Sequence, residues 1–159
     1  MKTPVITCGI YLYNVNNQKI LVCHATHSPW KNWSIPKGLK NDNENSFFAA
    51  ARELKEETGI DISLLSILQT HTLPPVKYSK QNKVLESFLV ITDTNFEGYS
   101  YKCHTHINEQ FPEVDSWKWI GLDKIVNYLH KTQQENLEAI KKITSHKSIN
   151  SQKHFTKLK

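Results

Sequence analysis

Residues 38–60 read GLKNDNENSFFAAARELKEETGI, and the spacing inside that stretch decides both the fold and the chemistry. Gly38 is followed after five residues by Glu44, after seven more by Arg52-Glu53-Leu54, then by Glu56-Glu57 and Gly59-Ile60. From Asn45 to Thr58 the apolar positions Phe47, Ala50, Ala51 and Leu54 recur at steps of three or four, which predicts an amphipathic helix 14 residues long. Gly59 suits its C-terminal cap, because glycine enters the left-handed conformation without a Cβ penalty. On that helix Glu53, Glu56 and Glu57 stand at i, i+3 and i+4 and so share one face. Left alone they repel, at about 0.2–0.5 kcal/mol per i,i+4 like-charge pair. A hard divalent cation reverses that sign, and an all-oxygen cluster suits magnesium or manganese better than zinc. The plain alternative is a solvated face on which Arg52 and Lys55 offset the acids. It fits the helix alone but not the whole array: seven fixed residue types and two aliphatic positions coincide in a chain of this length with odds on the order of 10⁻⁸.

Upstream, Trp33-Ser34-Ile35 predicts a brief extended piece, since Pro36 disfavours helix at the residue before it, and Gly38 permits a sharp turn. Earlier still, Ile6, Cys8, Ile10 and Leu12 alternate with Thr7, Gly9, Tyr11 and Tyr13, the period of a strand with one buried face. Asn14–Gln18 reads as a turn and Lys19–His24 as the second strand of a hairpin. Downstream, Leu64–His71, Val84–Thr92 and Ser116–Ile120 read as strands, and Leu122–Leu129 and Gln133–Ile143 as helices. Residues 94–113 are long for a connection, which predicts a functional loop or a hairpin. This irregular alternation predicts an α/β (α+β) domain over residues 1–143, a mixed sheet between helices in an α/β/α sandwich.

Composition agrees with one domain: 159 residues, 38% of them hydrophobic and 10% aromatic, are enough for a sizeable core and argue against disorder. No apolar run approaches the roughly 18 residues of a membrane helix, and Met1–Leu12 breaks any secretory signal with threonine, proline, glycine and tyrosine. The expectation is a cytoplasmic protein that does not engage membranes. Cys8, Cys23 and Cys103 are odd in number and far apart, so no disulfide framework is expected. Cys103, His104 and His106 lack the second pair of a zinc site and read as loop residues. The net charge of +5 suggests a polyanion partner until it is located: Lys147, Lys153, Lys157 and Lys159 follow Thr144 with no acid among them, and without those four the remainder carries +1. Residues 144–159 are expected to form a basic, flexible tail.

At this point a family resemblance carries the reading further. Gly38 to Ile60 resembles the signature of the Nudix hydrolases at every defining position. Trp33-Ser34-Ile35-Pro36-Lys37-Gly38 is similar to the tryptophan-x-x-proline-lysine-glycine lead into that signature in many bacterial members and in diadenosine polyphosphate hydrolases. Phe111-Pro112-Glu113-Val114-Asp115, with Trp117–Ile120 behind it, resembles the acidic loop and strand late in the domain. The resemblance covers about residues 3–143. One departure is Asn43, where many members carry glycine before the glutamate.

The resemblance implies cleavage of a nucleoside diphosphate linked to another moiety, by water attack on phosphorus with a divalent metal, Mg2+ or its substitute Mn2+. It implies metal ligands in Glu53, Glu56, Glu57 and the Gly38 carbonyl. Arg52 would orient Glu53 with its guanidinium fork, and Glu44 would stand one bond behind the metal. Glu53 and then Glu113 are the candidates for general base, a role worth about 10²–10⁴ in rate. Lys37 and Lys40 flank the turn as candidate phosphate contacts, and Tyr78, Lys80 and Lys83 lie where the substrate would pass. Trp30, Trp33 and Phe111 are candidates for stacking on a base, with core packing the competing role. Three functions follow: hydrolysis of a soluble dinucleoside polyphosphate or nucleoside triphosphate; pyrophosphohydrolysis of an RNA 5′ end, suggested by the basic tail; and a regulatory nucleotide-binding domain without turnover. The chain is expected to act as a monomer or homodimer.

Overall fold

The computed structural model describes residues 2–145; the lysine-rich stretch from residue 146 onward lies outside the described residues. Strands β1 (Val5–Asn14) and β2 (Lys19–Ala25) form the expected hairpin, with Tyr13 opposite Ile20 and Asn14 opposite Lys19. Short strands β3 (Trp33–Ser34) and β4 (Lys37–Leu39) precede helix α1 (Ser46–Thr58). Strands β5 (Ile67–Thr72), β6 (Val76–Lys77), β7 (Lys83–Thr92) and β8 (Val114–Gly121) follow, then short helices α2 (Lys131–Gln134) and α3 (Leu137–Ile143). The sheet order is β3-β2-β1-β7-β5, with β4 on β1, β6 on β7 and β8 on β2. It is mixed, since β1 runs parallel to β7 along its whole length, from Val5 opposite Lys83 to Asn14 opposite Thr92, while the other pairings are antiparallel.

Both faces of the sheet are covered, as a sandwich requires. Cys8, Ile10 and Leu12 of β1 pack with Phe88 and Val90 of β7 against Ala49, Ala50 and Leu54 of α1. Tyr11, Tyr13, Leu89 and Ile91 on the opposite face meet Ile125, Leu129, Leu137 and Ile140. Strand β1 is therefore buried on both faces, not one: the alternation Thr7, Gly9, Tyr11, Tyr13 looked polar only because tyrosine carries a hydroxyl, and that of Tyr11 is satisfied inside, donating to the Gln133 carbonyl at 2.6 Å.

Three expectations change. The strand expected from Leu64 begins at Ile67, because Asp61 accepts from the Ser63 N–H and starts a 3₁₀ turn at Ile62–Leu64. The helix expected over Leu122–Leu129 is a single 3₁₀ turn, Ile125–Asn127; the Trp33 N–H takes the Tyr128 carbonyl and draws the chain out of the spiral. The helix expected over Gln133–Ile143 is broken in two. Gln133 gives its carbonyl to Tyr11, and buried Asn136 is pinned by its amide to the Pro74 carbonyl. Residues 94–113 contain no hairpin strands, only a bridge between His106 and Pro112.

Candidate active site

The site is built where α1 crosses β4. Asn45 caps the helix by accepting from the Phe47 and Phe48 N–H groups at 2.9 and 3.3 Å, and Gly59, at φ 82°, closes it. The Trp117 indole N–H on β8 donates to the Glu57 carbonyl at 2.8 Å and ties the last turn to the sheet. Beneath the acidic face runs β4, with Gly38 opposite Cys8 of β1. A Cβ placed on Gly38 would lie 2.1–2.3 Å from the carboxyl atoms of Glu53, so the missing side chain is what lets that acid reach the strand. Asn43 has φ 64°, a left-handed conformation that asparagine tolerates, which removes the conflict with the glycine many relatives carry there.

Arg52 organises the acids. Its Nε and Nη2 grip both oxygens of Glu44 at 2.8 and 3.0 Å, and Nη2 also reaches the Leu39 carbonyl at 2.9 Å. Nη1 donates to Glu53 Oε1 at 2.9 Å and, more loosely, to both oxygens of Glu56 at 3.3 Å. The two-pronged grip thus falls on Glu44, not on Glu53 as its place in sequence suggested. It holds the Glu44 carboxyl down at about 2. Glu53 is 7% exposed and Glu57 8%. Burial, then the Glu56 charge, raises Glu53 against the pull of Arg52. Burial, with the Glu53 charge behind it, pushes Glu57 up to about 8, although its Oε1 accepts the Lys37 backbone N–H at 3.2 Å. Two acids are held out of water with too little positive charge nearby.

A cavity of about 380 Å³ opens beside them, lined by Glu53, Glu56, Glu113, Lys37, Lys83 and Thr105 among others. The Thr105 hydroxyl donates to Glu113 Oε2 at 3.1 Å, and the His104 N–H bonds the Glu56 carbonyl, so the long 94–113 segment delivers Glu113 to the acids of α1. Lys83, its pKa lowered by burial and then by the Lys37 charge, lies with Nζ 4.8 Å from the Tyr78 ring. A second cavity of about 440 Å³ shares Lys37 with the first and is walled by Trp33, Tyr78, Tyr128, His130 and Gln133. The Tyr78 hydroxyl is buried with no hydrogen-bond partner among the described residues.

The sequence-predicted residues Gly38, Glu53, Glu56, Glu113, Lys37 and Lys83 therefore meet at one cavity, with Glu57 and Arg52 packed behind and Tyr78 next door. Lys40 does not join them: its N–H bonds the Ile6 carbonyl and its side chain lines neither cavity. Lys80 is exposed away from both. Phe111 sits edge-on to His27, Trp30 is 64% exposed against His24 and Trp33, and only Trp33 walls a cavity. Thr7, Thr105, Tyr128, His130 and Gln133 had no sequence signal, since each reaches the site only through tertiary packing.

The residues fit a hard divalent cation in chemistry. The donors are carboxylates and the Gly38 carbonyl, which at present accepts from the Thr7 hydroxyl at 3.1 Å. Among the described residues no three His, Cys, Asp or Glu side chains already converge as a closed cage, because Arg52 stands between Glu53 and Glu56 and Glu57 faces the Lys37 N–H. A carboxylate offers about four acceptor positions, so one guanidinium bond leaves others for a cation. Cys103 is a free, buried thiol, as are Cys8 and Cys23. No helix among the described residues is long and apolar enough to cross a membrane.

Residues 3–143 match the family model of the NUDIX domain. Nudix hydrolase 10 of Arabidopsis thaliana is 30% identical over 128 residues, 79% of this chain but only 41% of the plant protein's length. The RNA pyrophosphohydrolase of Rickettsia conorii is 25% identical over 146 residues, covering 84% of this chain and 85% of its own. A C. elegans Ap4A hydrolase in binary complex shares the fold, with a TM-score of 0.61 at 23% identity over 82% of this chain and 91% of the other.

Proposed function

The chain belongs to the Nudix family, and from that premise we propose that it is a divalent-metal-dependent hydrolase of a phosphoanhydride bond in a nucleoside diphosphate-linked substrate. The observation that carries the reading is the pairing of the acids Glu53 and Glu56 with Lys37 and Lys83 around one cavity, with buried Glu57 packed behind them. Magnesium or manganese held by Glu53, Glu56, Glu57 and the Gly38 carbonyl would supply charge neutralisation for the diphosphate and acidify the attacking water. Lys37 and Lys83 hold outer phosphate oxygens as point charges. Glu53 takes the water proton; Glu113, on the same wall, is the second candidate. The water oxygen bonds to phosphorus as the bridging P–O bond breaks, its electron pair leaving on the departing phosphate. Arg52 keeps Glu53 and Glu56 from splaying, and Glu44 keeps Arg52 in place. The nucleoside occupies the 440 Å³ aromatic cavity, beside the rings of Trp33, Tyr78 and Tyr128.

The test is a product-resolved screen of dinucleoside polyphosphates, nucleoside triphosphates, ADP-ribose and triphosphorylated RNA, with magnesium, manganese and chelator. Turnover should require metal, and Glu57→Gln should lower kcat at least about 100-fold. A variant as active as the parent defeats the reading.

A further inference from the structure

The loop between β2 and β3 supplies Ser28, Lys31, Asn32 and, at its end, Trp33 to the wall of the aromatic cavity. Across its middle the backbone bonds are local: the Ser28 N–H donates to the Ala25 carbonyl and the Asn32 N–H to the Pro29 carbonyl. What fastens that middle to the sheet is the buried side chain of His24 on β2. Its Nδ1 lies 2.7 Å from Asp115 Oδ1 on β8, and its Nε2 lies 3.1 Å from the Pro29 carbonyl. Trp30 and Trp33 flank the ring, with centroids 4.9 and 5.3 Å away.

A carboxylate and a carbonyl are both acceptors. A neutral imidazole has one N–H and satisfies one of them; its other nitrogen then turns a lone pair toward an oxygen, in a place too buried for water to relieve the contact. The imidazolium satisfies both, and both indole rings lie within cation–π range of it. Asp115 is the one ion pair of the ring among the described residues. The other titratable groups on the elements around it are Lys118 of β8, with Nζ 5.7 Å from the Trp33 centroid, and Lys31 and His27 of the loop, the first exposed and the second packed on Phe111. Cys23, beside it on β2, packs with Cys103 and Val114.

We infer that His24, protonated on both ring nitrogens, is a positioning residue: it clamps the 29–33 wall of the aromatic cavity to Asp115 on β8, and the cavity holds a nucleoside best while the clamp is charged. This rests on the assignment of the nucleoside to that cavity. The doubly protonated ring prevails at the acidic end of its titration, so binding is tight there and weakens as pH rises and one proton leaves. The carboxylate at 2.7 Å retains the proton on Nδ1. The proton lost is therefore that on Nε2, and the Pro29 carbonyl is released.

The probe is adenosine, uncharged from about pH 5 to 8, titrated by calorimetry without metal into the parent and two variants. The parental Kd should rise about three- to tenfold across that range, the worth of one hydrogen bond. His24→Phe keeps a ring between the two indoles but has no donor, so its Kd should stay at the weak value throughout. Asp115→Asn separates the clamp from simple packing. Its amide can donate to Nδ1, which leaves a neutral ring with its Nε2–H on Pro29, so Kd should stay near the tight value at every pH. Nitrogen NMR should show both ring nitrogens of parental His24 protonated at the acidic end, one of them losing its proton as Kd climbs. His130 lines the same cavity, so the contrast between the three chains, not the parental slope, is the readout. A parental slope that persists in His24→Phe, an Asp115→Asn chain that follows the parent with pH, or a ring singly protonated at the acidic end would each overturn the inference. Adenosine bound by no chain at any pH sinks the nucleoside assignment and the clamp with it. A turnover screen without product sinks the hydrolase reading, and the adenosine curves still decide the clamp.

Discussion

Gly38→Ala isolates the contact on which the site is built. Gly38 is not among the glycines with positive φ, so alanine fits the backbone and the substitution adds only a methyl group. That methyl would stand 2.1 Å from Glu53 Cδ, against 3.4–4 Å for ordinary contact, so the carboxyl must retreat by more than 1 Å. Displacement of that size in a reacting group costs about 10² in rate. It also stretches the 2.9 Å bond from Arg52 Nη1, a charge-assisted bond worth about 1.5–3 kcal/mol at most, and Arg52 is partly solvated, so a loss of about 1 kcal/mol is expected. The assay pairs kcat/KM with urea denaturation in a double-mutant cycle with Glu53→Ala. In the Glu53→Ala background nothing remains for the methyl to strike, and the stability cost of Gly38→Ala should vanish. An equal cost in both backgrounds, or a Gly38→Ala enzyme of parental activity, would show that this contact does not shape the site.

Three further outcomes are expected. Tyr78→Phe removes a buried hydroxyl that has no partner among the described residues, so Tm should hold or rise slightly with kcat and KM for nucleotide little changed, measured by thermal melts and steady-state kinetics. Tyr11→Phe breaks the 2.6 Å bond to the Gln133 carbonyl and strands a buried acceptor, which should cost about 1–3 kcal/mol by denaturant unfolding with activity per folded molecule little changed. The Glu44 carboxyl should titrate near 2 by NMR and move upward in Arg52→Lys, since a lysine cannot reproduce the bidentate grip. The sign follows from its depression: the Arg52–Glu44 pair supports the fold above the ordinary carboxylate pKa, and that support is lost as pH falls through the folded value.

What the sequence made legible was whatever a local period encodes. The steps between Phe47, Ala50 and Leu54 specify α1, and once it is a helix the shared face of Glu53, Glu56 and Glu57 follows from geometry alone. The misread helices at Leu122–Leu129 and Gln133–Ile143 had the same kind of pattern. They failed because two carbonyls were claimed from outside, Tyr128 by the Trp33 N–H and Gln133 by the Tyr11 hydroxyl, one of these donors 122 residues away in sequence. No window of sequence contains that competition. Thr105, Tyr128 and His130 escaped notice for the same reason, since their partners lie on other elements.

The division has a consequence for how the site works. The acids that would hold a cation sit on the one element whose geometry is locally determined, while the groups that would choose a substrate sit on segments placed by long-range bonds: Tyr78 after β6, Tyr128 and His130 in the broken helical stretch, Glu113 on the 94–113 segment. Those segments carry few constraints of their own, so substitutions there change which molecule fits at little cost to the fold. Substitutions on α1 disturb buried charges that Arg52, Lys37 and a cation offset. Reaction class should therefore resist mutation far more than substrate preference does, and exchanging Tyr78, Tyr128 and His130 together should redirect specificity at preserved Tm. If that exchange instead removed turnover of every nucleotide, the aromatic cavity would belong to the catalytic machinery and the separation argued here would fail.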